Sequence, residues 1–203
     1  VPVVVANNEI EGLRVDEVVV DSLRGGCLAA EYLLRLGHRR IGYICGSQEE
    51  HRQARRTVGF CRTLEQAGVA LHPQALVYGD TRYESGRRCM QELLRRDLDL
   101  TAVFVFDDLM ALGALNWLLT NSYRVPEDLS LIGFDDILYS SAVVPALTTI
   151  AQPIAEIGAE CMRLVLERIR DPERPPSRVM LPTQLIERSS CRSLHSSPGI
   201  FGK

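Results

Sequence analysis

The stretch that decides the fold runs Ala102-Val103-Phe104-Val105-Phe106-Asp107-Asp108-Leu109-Met110-Ala111-Leu112-Gly113-Ala114-Leu115-Asn116-Trp117-Leu118-Leu119. Its first five residues are an unbroken apolar run of strand length, the pattern of a parallel strand covered on both faces. Two carboxylates follow, then apolar residues at helical spacing from Leu109 to Asn121. A buried strand that passes directly into a helix is the repeating unit of a parallel α/β sheet. The helix carries two apolar rows, one of Met110, Ala114 and Trp117 and one of Leu112, Leu115 and Leu119. A surface helix needs one. The second row fits either a partner subunit, which makes Leu112, Leu115 and Leu119 a candidate dimer interface, or burial between two layers of one domain.

The same alternation recurs on both sides of this stretch. Upstream, Val3 to Val5, Val18 to Val20, Arg40 to Cys45 and Leu76 to Tyr78 have the composition of strands. Between them, one helix opens at Gly25-Gly26 and is capped by Gly37. A second carries Ala54, Val58, Cys61 and Leu64 on one face and stops at Gly68, and a third spans Glu84 to Arg96. Downstream come strands at Leu129 to Phe134, Thr148 to Ile150 and Val179 to Leu181, with a long helix from Ile154 to Arg170. The Pro-rich stretch 171–176 is a surface loop, and 193–203 has the composition of a disordered tail.

The bulk numbers narrow the function classes. With 203 residues, 46% hydrophobic, 24% charged and a net charge of −3, the chain is long enough for one or two compact domains. Its charges are interleaved and form no basic block able to neutralise phosphates, so a nucleic-acid surface is not expected within this segment. Six cysteines, Cys27, Cys45, Cys61, Cys89, Cys161 and Cys191, lie far apart with no C-x-x-C pair. That spacing suits reduced thiols in a cytoplasmic protein better than zinc or a disulfide framework. No apolar run approaches the ~20 residues that span a bilayer, and no signal segment opens the chain. Val1 leads straight into a strand-like run, as in a piece taken from within a larger domain.

In an open parallel sheet, ligands collect beyond the carboxyl ends of the strands. Those ends carry Gly46, Asp80, Asp107-Asp108 and Asp135-Asp136. If the strands are neighbours, the result is an acceptor-rich rim suited to hydroxyls or amines. Each carboxylate also has a structural alternative. Asp107 or Asp108 could cap the helix that follows, Asp80 could cap or close a turn, and Asp136 fits a turn. Asp135 is the strongest ligand candidate, because it ends a buried Ile-Gly-Phe run with no helix start directly after it. No G-x-S-x-G, H-E-x-x-H, P-loop or G-x-G-x-x-G motif occurs, so neither catalytic residues, a metal nor a cofactor is expected. The histidines are scattered, and His38, between Gly37 and Arg39, fits a structural role.

Several strings together resemble the effector-binding domain of transcription regulators of the lactose-repressor and purine-repressor type, the LacI/GalR family. They are Val20-Asp21 with Arg24-Gly25-Gly26, Leu36-Gly37-His38-Arg39-Arg40-Ile41, Asp80 with Glu84-Ser85-Gly86, and Asp108-Leu109-Met110-Ala111-Leu112-Gly113-Ala114. Arg124-Val125-Pro126-Glu127-Asp128 through Asp136, and Pro145-Ala146-Leu147-Thr148-Thr149-Ile150 with Gln152-Pro153, complete the set. The resemblance extends from Val1 to about Cys191.

The resemblance implies an α/β, periplasmic-binding-protein-like type I fold. Its two parallel-sheet subdomains are joined by three crossover hinges, and effector is held in the cleft between them. Residues 1–38 are then an N-terminally truncated first subdomain and 39–150 the second. Residues 151–182 return to the first and 183–192 to the second, before the tail at 193–203. The resemblance further implies a repressor that binds a small sugar-like or purine-like effector, forms a homodimer and meets operator DNA through an N-terminal helix-turn-helix outside this chain, without a membrane. A periplasmic sugar-binding protein of a transporter is the alternative with the same fold. By position, Arg56, three residues before Gly59-Phe60, matches the family arginine that grips effector, and Asp135 its acceptor partner. Asp21, Gln152 and Asp107 match positions that approach the cleft, with Asp107 where sugar-binding relatives often have Asn. Thr81 stands where several relatives carry a stacking aromatic, and Tyr83 is the nearby substitute.

Overall fold

The computed structural model describes residues 1–7, 14–47 and 54–195. His51 and the stretch 196–203 of the expected tail lie outside the described residues. The chain divides into two compact units: Val1–Asp21 with Gln152–Thr183, and Ser22–Ala151 with Gln184–Lys203.

The larger unit is a six-stranded sheet in the order β4-β3-β5-β6-β7-β9. Its strands are β3 (Ile41–Cys45), β4 (Leu76–Tyr78), β5 (Ala102–Val105), β6 (Ser130–Asp135), β7 (Thr148–Ala151) and β9 (Gln184–Ile186). All pairings are parallel except that of β9, which runs antiparallel to β7. Side chains alternate between the two faces with the strand period of two. Tyr43, Phe104, Ile132 and Phe134 go to one core, with Leu33, Phe60 and Leu64 from helices α1 (Ser22–Arg35) and α2 (Arg55–Gln66). Ile44, Val103, Val105 and Leu131 go to the other, with Met90, Leu93, Met110 and Leu118 from α3 (Tyr83–Leu94) and α4 (Asp108–Thr120). Coverage of both faces is why these strands read as continuous apolar runs.

Each helix pair is locked by reciprocal glycines. A Cβ on Gly26 would sit 1.9 Å from the Arg56 carbonyl oxygen, and one on Gly59 would sit 2.0 Å from that of Leu23. On the opposite face Gly86 meets Met110 and Gly113 meets Tyr83 in the same way, at 1.9 Å each. Backbones this close leave no room for any side chain. Gly25-Gly26 therefore lie inside α1, which starts at Ser22 rather than at the glycines.

The smaller unit pairs β1 (Val4–Ala6), β2 (Asp16–Val20) and β8 (Arg178–Leu181) in a parallel sheet. Helix α6 (Ile154–Arg170) closes one face through Ile157 and Leu164 against Val18 and Val20. Asp16, fully buried at the start of β2, accepts from Arg174 at 2.8 Å, Arg168 at 3.1 Å and the Ser177 amide at 2.8 Å. A buried carboxylate paired this fully escapes the penalty of an isolated charge.

Three expectations need correcting. Residues 22–38 belong to the larger unit, not with 1–21, because α1 packs along α2 through the glycine contact and buries Leu33 in the larger core. The apolar row expected to meet a second subunit is covered within its own unit. Leu112 and Leu115 are 8% and 2% exposed in the α3/α4 core, and only Leu119, at 43%, faces outward. The start of the expected tail is tied down, since the Leu194 amide donates to the Leu36 carbonyl at 2.7 Å and His195 meets the Arg35 carbonyl at 3.0 Å.

Candidate functional site

Because β4, β3, β5 and β6 are parallel neighbours, their carboxyl ends share one rim of the larger sheet. Arg56, the second residue of α2, is brought there by the Gly26 and Gly59 contacts. Its guanidinium carbon stands 3.9 Å from the centre of the Phe134 ring and 4.5 Å from that of Phe106. Nη1 donates to the Phe106 carbonyl at 2.7 Å and lies 3.7 Å from Oδ1 of Asp135. Flat aromatic faces attract the cation and fix its plane. The side chains of Arg56 and Asp135 remain 15% and 27% exposed, so the pair is held in place yet reachable from solvent.

Asp135 ends β6 with φ +111° and Asp136 follows at φ +56°, both in the left-handed range that β-carbon-bearing residues avoid. Asp136 is engaged by Arg188 at 2.7 Å, and Arg188 also donates to the Leu147 carbonyl at 2.8 Å.

At the end of β5 the outcome differs. Asp107 is the N-cap of α4, its carboxylate accepting from the Met110 amide at 2.8 Å. Asp108 is fully buried and accepts from Thr149 Oγ1 at 2.6 Å, Ser140 Oγ at 2.7 Å and the Ile137 amide at 3.1 Å. Burial pushes its carboxyl up to about 6 against the lowering effect of these three bonds, with the Asp135 charge adding to the rise. At the end of β4, Asp80 accepts from the Arg82 amide at 3.2 Å and lies 3.6 Å from Arg88.

Of the expected site residues, the structure brings Arg56 and Asp135 together, with Asp107 two residues past the end of β5, the strand next to β6. Thr81 is exposed at φ +61°, its hydroxyl donating to the Asp80 carbonyl at 2.7 Å. Tyr83 opens α3 and packs against the α3/α4 core. Asp21 and Gln152 belong to the smaller unit. There the Asp21 amide donates to the Leu181 carbonyl at 2.9 Å, and Gln152 Oε1 accepts from Asn7 Nδ2 at 2.6 Å. Sequence reasoning passed over Phe106 and Phe134, although each directly precedes a strand-end Asp. It also passed over Asn7 and Arg188, for which no local pattern gives a signal. His38 is structural, its ring nitrogens 3.0 Å from Thr101 Oγ1 and from the Arg192 carbonyl, and burial lowers its pKa.

Two units of largely parallel sheet, the larger carrying a stacked arginine and a carboxylate on its strand-end rim, define the class: an α/β domain of the periplasmic-binding-protein kind. The family model for the periplasmic binding protein-like domain matches residues 30–191. A LacI family transcriptional regulator from Enterococcus faecium, solved with bound ribose, is 34% identical over 95% of this chain and 71% of its own, with a TM-score of 0.84. The chain belongs to the LacI family of transcription regulators. It is also similar to the HTH-type transcriptional repressor CytR of Escherichia coli (strain K12), at 39% identity over 193 residues, which is 95% of this chain and 57% of that protein. A structure of the transcriptional regulator CelR in complex with cellobiose is 36% identical, covers 92% of this chain and 58% of its own, and has a TM-score of 0.84. The chain thus spans a little over half the length of the curated relative. These relatives are transcription regulators, not transporter components, which removes the alternative of a transporter's sugar-binding protein. Among the described residues no helix is long and apolar enough to cross a membrane.

Proposed function

We propose that this chain is the effector-sensing part of a cytoplasmic, DNA-binding transcription repressor, and that the rim of its larger sheet takes hold of a small sugar-like or purine-like molecule. The observation that carries this is the Arg56–Asp135 pair, with its guanidinium flattened against Phe106 and Phe134. A guanidinium offers only donors and a carboxylate only acceptors, so the two together grip vicinal hydroxyls or the edge of a purine. In the whole protein, a homodimer meeting operator DNA through a helix-turn-helix domain would read this binding as a shift between two arrangements of the sensor. Two-fold pairing suits a near-palindromic operator.

A thermal-shift series with ribose, cellobiose and adenine tests the site. At least one of these is expected to raise the melting temperature of the wild type. Asp135→Ala should abolish that rise while leaving the ligand-free melting temperature close to wild type. A variant that responds to the same ligand with an undiminished shift would overturn the assignment.

A further inference from the structure

The ligand contacts proposed above depend on a turn that would not hold itself. Asp135 and Asp136 both occupy left-handed backbone, which costs a non-glycine residue of the order of 1 kcal/mol each. The amide of the next residue, Ile137, is held by Oδ2 of Asp108. The same oxygen accepts from Ser140 in the short helix α5 (Leu138–Ala142), and Oδ1 accepts from Thr149 on β7. One carboxylate at the start of α4 thereby ties β7 and the segment after β6 to the residue beside Asp107.

Room for that carboxylate has been made in β6. A Cβ on Gly133 would lie 2.1 Å from Oδ1 of Asp108. We propose that Asp108 is a positioning residue for ligand recognition, its buried carboxylate holding the Asp135-Asp136 turn in the conformation that sets Asp135 against Arg56. The proposal rests on the effector reading of the rim and adds to it a residue that touches no ligand.

Electrostatics separate this role from a purely structural one. Among the described residues the charge that bears on Asp108 is that of Asp135 at the end of β6; Asp107 is its chain neighbour, and Asp136, next after Asp135, is paired with Arg188. From α5 and β7 it meets only hydroxyls and one amide. Among the described residues its carboxylate accepts from no cation, and burial pushes it up to about 6. An ionised Asp108 at neutral pH therefore works against folding. A neutral group of the same shape would serve stability better, so the charge is kept for what it holds: a fixed N–H donor at Ile137, which binds an anion more strongly than a neutral acceptor.

Asp108→Asn mimics the protonated form, with its amide donating to Thr149. In the full chain at pH 7.5 this variant should melt at or above the wild-type temperature. Hydrogen-exchange protection of the Ile137 amide should fall about tenfold, and the Arg56 side-chain N–H resonance should move. Any shift produced by ribose, cellobiose or adenine should shrink in the same variant. Acidifying the wild type through about pH 6 should bring the same loss of Ile137 protection, while the variant stays flat over that range. A variant that melts lower with Ile137 protection and the Arg56 resonance unchanged would overturn the proposal. So would wild-type protection that does not change across that range. If none of the three compounds shifts the wild type, the effector reading loses its support, and the exchange and Arg56 measurements still decide the role of Asp108.

Discussion

Strands β5 and β6 lie side by side and run into the same Phe-Asp-Asp string, Phe106-Asp107-Asp108 just past the end of β5 and Phe134-Asp135-Asp136 across the end of β6. The phenylalanines behave alike, each laying its ring against the Arg56 guanidinium. The carboxylates do not. After β5 a helix begins at once, its first amides lack partners, and Asp107 caps one of them while Asp108 turns inward. After β6 the backbone turns left-handed, the short helix α5 starts only at Leu138 with Ile137 rather than an aspartate at its cap, and Asp135 faces a cation. Identical tripeptides thus acquire different roles from the backbone that follows them: one pair accepts from amides and hydroxyls of the fold, and the other, partly exposed, faces two arginines.

The largest effect that tests this contrast lies one residue before the phenylalanines. On β5 that residue is Val105, fully buried, and on β6 it is Gly133, whose missing side chain admits the Asp108 carboxylate. Gly133→Ala should cost about 2–3 kcal/mol in urea denaturation, from overpacking and displaced hydrogen bonds. In an Asp108→Ala background the same change should cost at least about 1 kcal/mol less, because the clashing oxygen is gone. Equal costs in the two backgrounds would break the link between Gly133 and Asp108.

The carboxylates themselves come next. Asp107→Ala should destabilise by about 1 kcal/mol, the usual worth of an N-cap. Asp135→Gly should stay within about 0.5 kcal/mol of wild type, since relief of the left-handed backbone offsets the loss of a partly exposed ion pair. The ligand response should nevertheless vanish in Asp135→Gly. A cost at residue 135 as large as that at 107 would mean that Asp135, too, serves the fold.

Much of the larger unit was legible in the sequence because its strands are buried on both faces. Runs such as Ala102 to Phe106 then need no partner to be recognised, and glycine-punctuated helices follow them. Helix α5 and strand β9 were not legible, being three to five residues long and held by tertiary contacts such as the pairing with β7. The double apolar face of α4 was visible, but pattern alone does not distinguish a neighbouring layer from a neighbouring molecule. Burial of Leu112 and Leu115 in the α3/α4 core decides for the layer. At the site, Arg56 and Asp135 were legible from their strings. The stacking phenylalanines were not, because an apolar residue at a strand end looks like core. Asp108 was read as a rim carboxylate or a cap and not as a buried tie, since its three donors come from residues 29 to 41 positions away.

The smallest effect belongs to Asp136, and there the sign of a comparison carries the information. Asp136 holds Arg188 at 2.7 Å with the two side chains 27% and 17% exposed, a pairing worth of the order of 1 kcal/mol. Its backbone at φ +56° is a cost of similar size that glycine would not bear. Asp136→Gly removes both and should leave stability almost unchanged. Arg188→Met removes the pair and the bond to the Leu147 carbonyl but leaves the strained backbone in place, so it should destabilise by about 1–2 kcal/mol. If Asp136→Gly proved as costly as Arg188→Met, the left-handed turn would carry no strain, and Asp135 would face Arg56 without needing to be held there.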